Sequence, residues 1–207
     1  MLNHNNFAIA KLASKENSRF TLNGILVEPN QTVVTDGHLL AVVTGTPEAD
    51  TGSPVDATEG PAITSFICPS AEALGVAVAS KGGYLGLADI PESKNKECKI
   101  NTKSGSSMVL NIQPLEGNYP DYQRVIPSMD KYTVRVKLDA VLVAAMIAQL
   151  NEFMKNKNES KNTFILSLAP DAVTNVISGP VILEAENALG QTFKGLIMPM
   201  RMDDKKV

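Results

Sequence analysis

The chain has 207 residues, 43% of them hydrophobic, so it can bury a substantial core in one large domain or two small ones. Charged residues make up 20% and the formal net charge is −3, which excludes a generally basic nucleic-acid binder and a disordered polyelectrolyte. Any DNA contact has to come from a local basic patch. A helix-spaced stretch at 2–12 opens the chain, and β-rich runs follow at 20–28 and 31–44. A segment rich in Gly, Pro, Asp and Ser at 44–60 ends this first block. In the second block a strand at 63–68 meets the Pro69 break, a helix is expected over 70–80, and strands follow at 84–90, 97–102 and 107–115. After a second break at 117–131 the third block has a strand at 132–138 and a helix over 139–154. Asp139 is placed to cap that helix, and Leu142, Ala145, Met146, Gln149, Leu150 and Phe153 follow at helical spacing. A polar loop at 155–162 leads to β-rich runs at 163–168, 173–178, 181–186 and 193–200.

The second and third blocks thus share one order of elements, strand, helix, then strands, a repeat of roughly 70 residues in structure rather than in residue identity. The first block reads as the same unit with its opening strand missing. The N-terminus carries neither a basic n-region nor an apolar h-region, and no window is long and apolar enough to span a bilayer. A cytoplasmic protein with reduced thiols is expected.

Few residues suggest chemistry. Cys68 and Cys98 lack CxxC spacing and have only His4 and His38 to join them, so no metal site is expected. Thr35-Asp36-Gly37-His38 sets a carboxylate near an imidazole, but Asp-Gly between β-rich runs is first of all a turn or bulge, with Gly supplying positive φ. No nucleophile elbow, phosphate loop or paired carboxylates stand out, so no enzyme and no cofactor are expected. The segment from Gly117 to Pro127 has Pro near both ends and two Tyr between, which gives a stiff linker packed on one side. Near the C-terminus, Met198-Pro199-Met200-Arg201-Met202 reads equally well as an edge strand with adaptable side chains or as a core-filling last strand.

Three motifs in order carry a resemblance. Phe20-Thr21-Leu22-Asn23-Gly24-Ile25-Leu26 with Val34 to Val42, then Gly117 to Pro127, then Leu196 to Arg201 resemble the middle domain, the end of that domain and the C-terminal strand of the bacterial DNA polymerase III β subunit, the sliding clamp. The resemblance implies an α+β DNA-clamp fold built from strand-helix-strand-strand-strand units. It implies a middle-domain-like region at 1–127, with units at 1–50 and 57–127, and a C-terminal half of the last domain at 131–202, followed by a polar tail at 203–207. It also implies a non-catalytic platform of DNA replication. Its partners would be the glutamine-and-leucine-rich peptides of polymerase, clamp loader and repair proteins. The residues matching the family's peptide pocket are Leu22, Thr35, Gly37, His38, Leu39, Leu40, Pro120, Arg124, Val125, Met198, Pro199, Met200 and Arg201, with Leu39 standing where the family commonly has Arg.

The DNA side is thinner. The expected helices hold only Glu72 in one and Asp139 and Glu152 in the other, and a phosphate backbone is held by cations. Lys11, Lys15 and Arg19 are the basic candidates, with Lys155, Lys157 and Lys161 beyond the third helix. Double-stranded DNA is therefore a weak partner at most and no membrane is expected; the apolar helix at 139–154 calls for burial, by the chain's own first block or in a subunit contact, and a homo-oligomer, a homodimer in the simplest form, is expected. Two other readings stay open: a complete DNA-encircling clamp formed by oligomerisation, and a decoy that binds clamp partners without holding DNA.

Overall fold

The structure, a computed structural model, describes residues 2–45, 63–81, 84–101, 106–126, 128, 134–154, 164–170, 177–187, 190–199 and 201–204. They fall into two compact units, Met1–Arg124 and Val125–Val207. Both mix helix with antiparallel sheet, the α+β class expected from the sequence.

In the N-terminal unit, α1 (His4–Ala8) starts in a capping box made by Asn3 and Asn6 and runs into a 3-10 turn, Ile9–Leu12. A second 3-10 helix, Asn17–Asn23, precedes β1 (Gly24–Glu28), β2 (Gln31–Thr35) and β3 (Leu40–Thr44). Residues 20–23 are therefore not the start of a strand, as the β-rich run at 20–28 suggested. They curl so that the Leu22 carbonyl can accept from Ser14 N–H at 2.9 Å. Next come β4 (Phe66–Pro69), α2 (Ser70–Ala79), β5 (Tyr84–Asp89), β6 (Lys96–Asn101) and β7 (Ser107–Ile112). Pro69 sits at the joint between β4 and α2, where a missing N–H costs the helix nothing.

Two sheets result, β3-β2-β1-β4 and β5-β6-β7. Period-2 alternation turns Ile25, Val27, Cys98 and Ile100 into one core with Phe7, Ala10, Ala73, Val76 and Ile112. Buried Asn6 is satisfied: its side-chain amide donates to the Val43 carbonyl at 2.8 Å, and Thr32 Oγ1 donates to the Asn6 carbonyl at 2.7 Å. These bonds fasten α1 to β2 and β3 and offset the cost of taking the Asn6 amide out of water.

The C-terminal unit holds β8 (Val134–Lys137), α3 (Ala140–Phe153), β9 (Phe164–Pro170), β10 (Ile177–Glu186), β11 (Thr192–Ile197) and β12 (Arg201–Asp204). The sheets are β11-β10-β9 and β12-β8. Asp139 caps α3 as expected, accepting from Val141 N–H at 2.8 Å and Leu142 N–H at 3.2 Å. The face of α3 differs from the expected one. Met146, Leu150, Phe153 and Met154 pack on Leu183, Ala185 and Phe193, whereas Leu142, Ala145 and Gln149 are exposed. With no charged residue before Glu152, the helix sequence gives no polar side from which to fix its rotation.

The runs at 173–178 and 181–186 meet in one strand, β10, whose register shifts between Ile177 and Val181 around Pro180; residues 173–176 lie outside the described residues. The run at 193–200 ends at Ile197, because Pro199 cannot donate to a ladder, and the chain re-enters a sheet as β12. Residues 203 and 204 thus belong to a strand paired with β8 rather than to a polar tail.

Candidate functional site

Three segments of the N-terminal unit converge: the 3-10 helix Asn17–Asn23, the turn at 36–39 between β2 and β3, and the stretch from Gly117 to Arg124. The turn is built by its own sequence. Asp36 Oδ1 accepts from His38 N–H and Leu39 N–H, both at 2.8 Å, and Thr35 Oγ1 donates to the Leu39 carbonyl at 2.6 Å while accepting from Gly37 N–H at 3.1 Å. Gly37 has φ 95°, and a Cβ there would collide with the Arg19 guanidinium. Arg19 therefore lies against the turn. The N–H groups of Leu39 and then His38 hold the Asp36 carboxyl below the usual carboxylate range.

Gly117 (φ 113°) lets the third segment pass close to the 3-10 helix; a Cβ on it would sit 2.9 Å from Thr21 Cγ2 and 3.6 Å from Phe20 Cζ. Two tyrosines then hold the segment down. Tyr119 Oη accepts from Thr35 N–H at 3.0 Å, and Tyr122 Oη donates to Glu28 Oε2 at 2.9 Å while Gln31 Nε2 donates to it at 2.7 Å. Burial pushes both phenols up, more than the Thr35 N–H offsets at Tyr119, so both stay neutral. Between them Pro120 faces out, and Arg124 Nε pairs with Asp121 at 2.8 Å on the surface. The one-sided packing expected of the linker is thus made by two residues, neither of them among the expected site residues.

Of those expected residues, Gly37, His38, Leu39, Pro120 and Arg124 come from the converging segments, and Thr35 and Leu40 from the strand ends that flank the turn. Leu22 also belongs to a converging segment, but it is buried and supports the 3-10 helix instead of facing solvent. Leu39 is 38% exposed and Phe20, which the sequence did not single out, is 49% exposed. In the C-terminal unit Val125 and Met198 are exposed, Pro199 is half-buried, and Arg201 opens β12 opposite Lys137. Met200 lies outside the described residues, as do Lys155, Lys157 and Lys161. Lys11 and Lys15 are exposed.

The Thr35 hydroxyl and the Asp36 carboxylate are committed to the turn. Cys68 and Cys98 are buried, and desolvation pushes the Cys68 thiol well up and that of Cys98 up to about 12, so neither offers a thiolate. No cluster of metal-ligating side chains occurs among the described residues. A wider groove of about 1010 Å³ also borders Tyr119, but its cations are already paired, Lys94 with Glu116 at 3.0 Å and, beside it, Lys96 with Asp89 at 2.7 Å.

No family model matches the chain, and no curated protein matches it either. Solved structures do. The DNA polymerase sliding clamp of Caulobacter crescentus matches at 20% identity with a TM-score of 0.62, over 100% of this chain and 50% of that one. The clamp of Bacillus subtilis matches at 16% identity and TM-score 0.64, over 98% and 48%. That of Pseudomonas aeruginosa matches at 17% identity and TM-score 0.60, over 96% and 50%. The chain therefore has the sliding-clamp fold, and it spans about half the length of the structures it matches.

Proposed function

We propose that the chain is a non-catalytic, clamp-like protein of DNA replication that binds short, glutamine-and-leucine-rich peptide tails of polymerase, clamp-loader or repair proteins. What carries this reading is the convergence of the three segments in a clamp fold. The Asp36 turn presents His38 and Leu39 on a backbone with little freedom to lose, and preorganisation of that kind is what lets a few anchors hold an extended peptide. Phe20, Leu39 and Pro120 supply apolar contact; His38, Arg19 and Arg124 supply polar contact to orient the peptide. In the C-terminal unit Val125, Met198, Pro199, Met200 and Arg201 are assigned to peptide contact on their own motif, the methionines because their side chains adapt to ligand shape. The working form is an intracellular assembly of identical chains.

DNA encirclement is the weaker reading. α2 carries one charged residue, Glu72, and α3 one, Glu152, so neither helix offers phosphate a cation. The charge pattern instead favours a protein that engages clamp partners without holding DNA. Both readings are tested together. A fluorescent glutamine-and-leucine-rich peptide should bind with an anisotropy change that a scrambled peptide does not give, and Leu39→Asp should abolish it without changing the circular dichroism. Absence of specific binding overturns the peptide reading. The chain should not be retained on nicked circular plasmid; retention lost on linearisation would establish a ring around DNA.

A further inference from the structure

The N-terminal unit shows how a half of this kind is covered. Its second half, β4-α2-β5-β6-β7, gives two surfaces to its first. α2 packs on α1, closing a core with Phe7, Ala10, Ala73 and Val76, and one edge of β4 pairs with β1 from Gly24↔Pro69 to Val27↔Phe66. The other edge of β4 is met by a residue that follows β7: Leu115 bridges Ile67, its N–H donating to the Ile67 carbonyl at 2.9 Å.

The C-terminal unit repeats that half in the order β8-α3-β9-β10-β11. It also closes one edge of its opening strand with residues that follow its last strand, since β12 pairs with β8. What the N-terminal unit covers with its other half is open here. Among the described residues no strand pairs with the second edge of β8 or the outer edge of β9, and α3 is the one helix of the unit. Val141, Ala144 and Ile147 follow one another along α3 at spacings of three, with Ala148 four residues after Ala144, all exposed, Val141 at 76%. On β9, Phe164, Ile165 and Leu166 are exposed as well.

We propose that a second copy of this chain covers this face, α3 packing on the partner's α3 along that stripe and β8 of each copy pairing with the partner's β9. A true two-fold axis then does what the internal pairing of halves does in the N-terminal unit. The inference rests on the self-assembly proposed above and names its surface. The charge pattern selects a second copy as occupant. An isologous contact sets residues against their own kind near the axis, where any charge meets its like. Neither the α3 stripe nor β9 carries one. β8 carries Arg135 and Lys137, so pairing it with the uncharged β9 avoids setting cations opposite cations, as pairing it with itself would not. Size agrees: a 14-residue helix is about 21 Å long and a seven-residue strand about 23 Å. A contact along both has the reach of a standard interface, roughly 800 Å² per partner.

Sedimentation of the full chain at tens of micromolar tests this. The expected mass is twice the 22.1 kDa of one chain. A chain carrying Ala144→Glu and Ile147→Glu, and another carrying Ala144→Lys and Ile147→Lys, should each be monomeric with unchanged circular dichroism, their dissociation constants raised at least about 100-fold. Mixed, they should form a one-to-one dimer. A monomeric wild type overturns self-assembly itself. A dimer that the acidic and basic variants leave intact overturns this surface alone, and so does a mixture of the two variants that stays monomeric.

Discussion

The two units use one sequence of elements and differ in what they do with the apolar surface it creates. α2 buries Ala73, Val76 and Ala77 between its own sheets and α1, so its small residues serve close approach of a second helix. α3 is longer, yet Leu150 is its one buried residue among those described, and Val141 and Leu142 stand 76% and 56% exposed. A strand-helix-strand-strand-strand half therefore specifies its own sheet but not its own cover. In the N-terminal unit the cover is in the same chain, whereas among the described residues the C-terminal unit has apolar helix and unpaired strand edges in its place, surfaces that folded proteins usually pair or shield.

The largest expected effect breaks the covered unit. Phe7→Ala empties a fully buried site where α1 meets the core and should cost about 3–5 kcal/mol in urea unfolding followed by a probe in the N-terminal unit. On the open face, Ile147→Ala should change the unfolding free energy of a monomeric chain by no more than about 0.5 kcal/mol. Equal costs at the two positions would mean that α3 is already covered.

Next in size is recognition. Met198→Ala with Met200→Ala should weaken peptide binding by about 1–3 kcal/mol in calorimetry, the span of a few anchor side chains. Unchanged affinity in a folded double variant removes the methionines from the site. The cap of α3 is a smaller test, confined to the C-terminal unit. Asp139→Ala leaves the Val141 and Leu142 N–H groups without their acceptor and should cost about 1 kcal/mol there. A transition of the N-terminal unit that moved as far would contradict the division.

The smallest effect is the pH response of the turn. The folded Asp36 pKa lies below its unfolded value, about 3.9. The turn's contribution is therefore fully present above that value and is lost as pH falls through the lower folded one. The amide resonances of His38 and Leu39 should hold their positions down to the ordinary carboxylate range and shift only below it. Movement at higher pH would detach Asp36 from those amides.

Much of this was legible in the sequence where one residue has one physical use. Asp139 before an apolar helix, Pro69 at a strand-to-helix joint, and Asp36-Gly37 between β-rich runs each behave as their chemistry dictates. The order of strands and helices followed from period-2 and helical spacing. Less was legible where a choice depends on distant partners. Nothing local says that residues 20–23 curl toward Ser14, or that Tyr119 and Tyr122 reach back to Thr35 and Glu28. The facing of α3 is set by Gly195, where the Met146 side chain lies against the backbone of β11, and by Phe193, whose ring stands 5.6 Å from that of Phe153. A helix with no charge on its first three turns carries no record of that choice. The return of the chain into β12 after Pro199 was hidden for a similar reason, since its partner β8 lies more than sixty residues earlier in the sequence.

Amide hydrogen exchange measured at several chain concentrations compares the two units most directly. Exchange along β1 and β4 should be slow at every concentration, because their pairing lies within one chain. The outward-facing amides of β8 and β9 should exchange quickly in dilute solution and slow down as concentration rises through the range where the mass doubles. Protection of β9 that is the same at every concentration would contradict the account of the C-terminal unit as a half completed by a second copy.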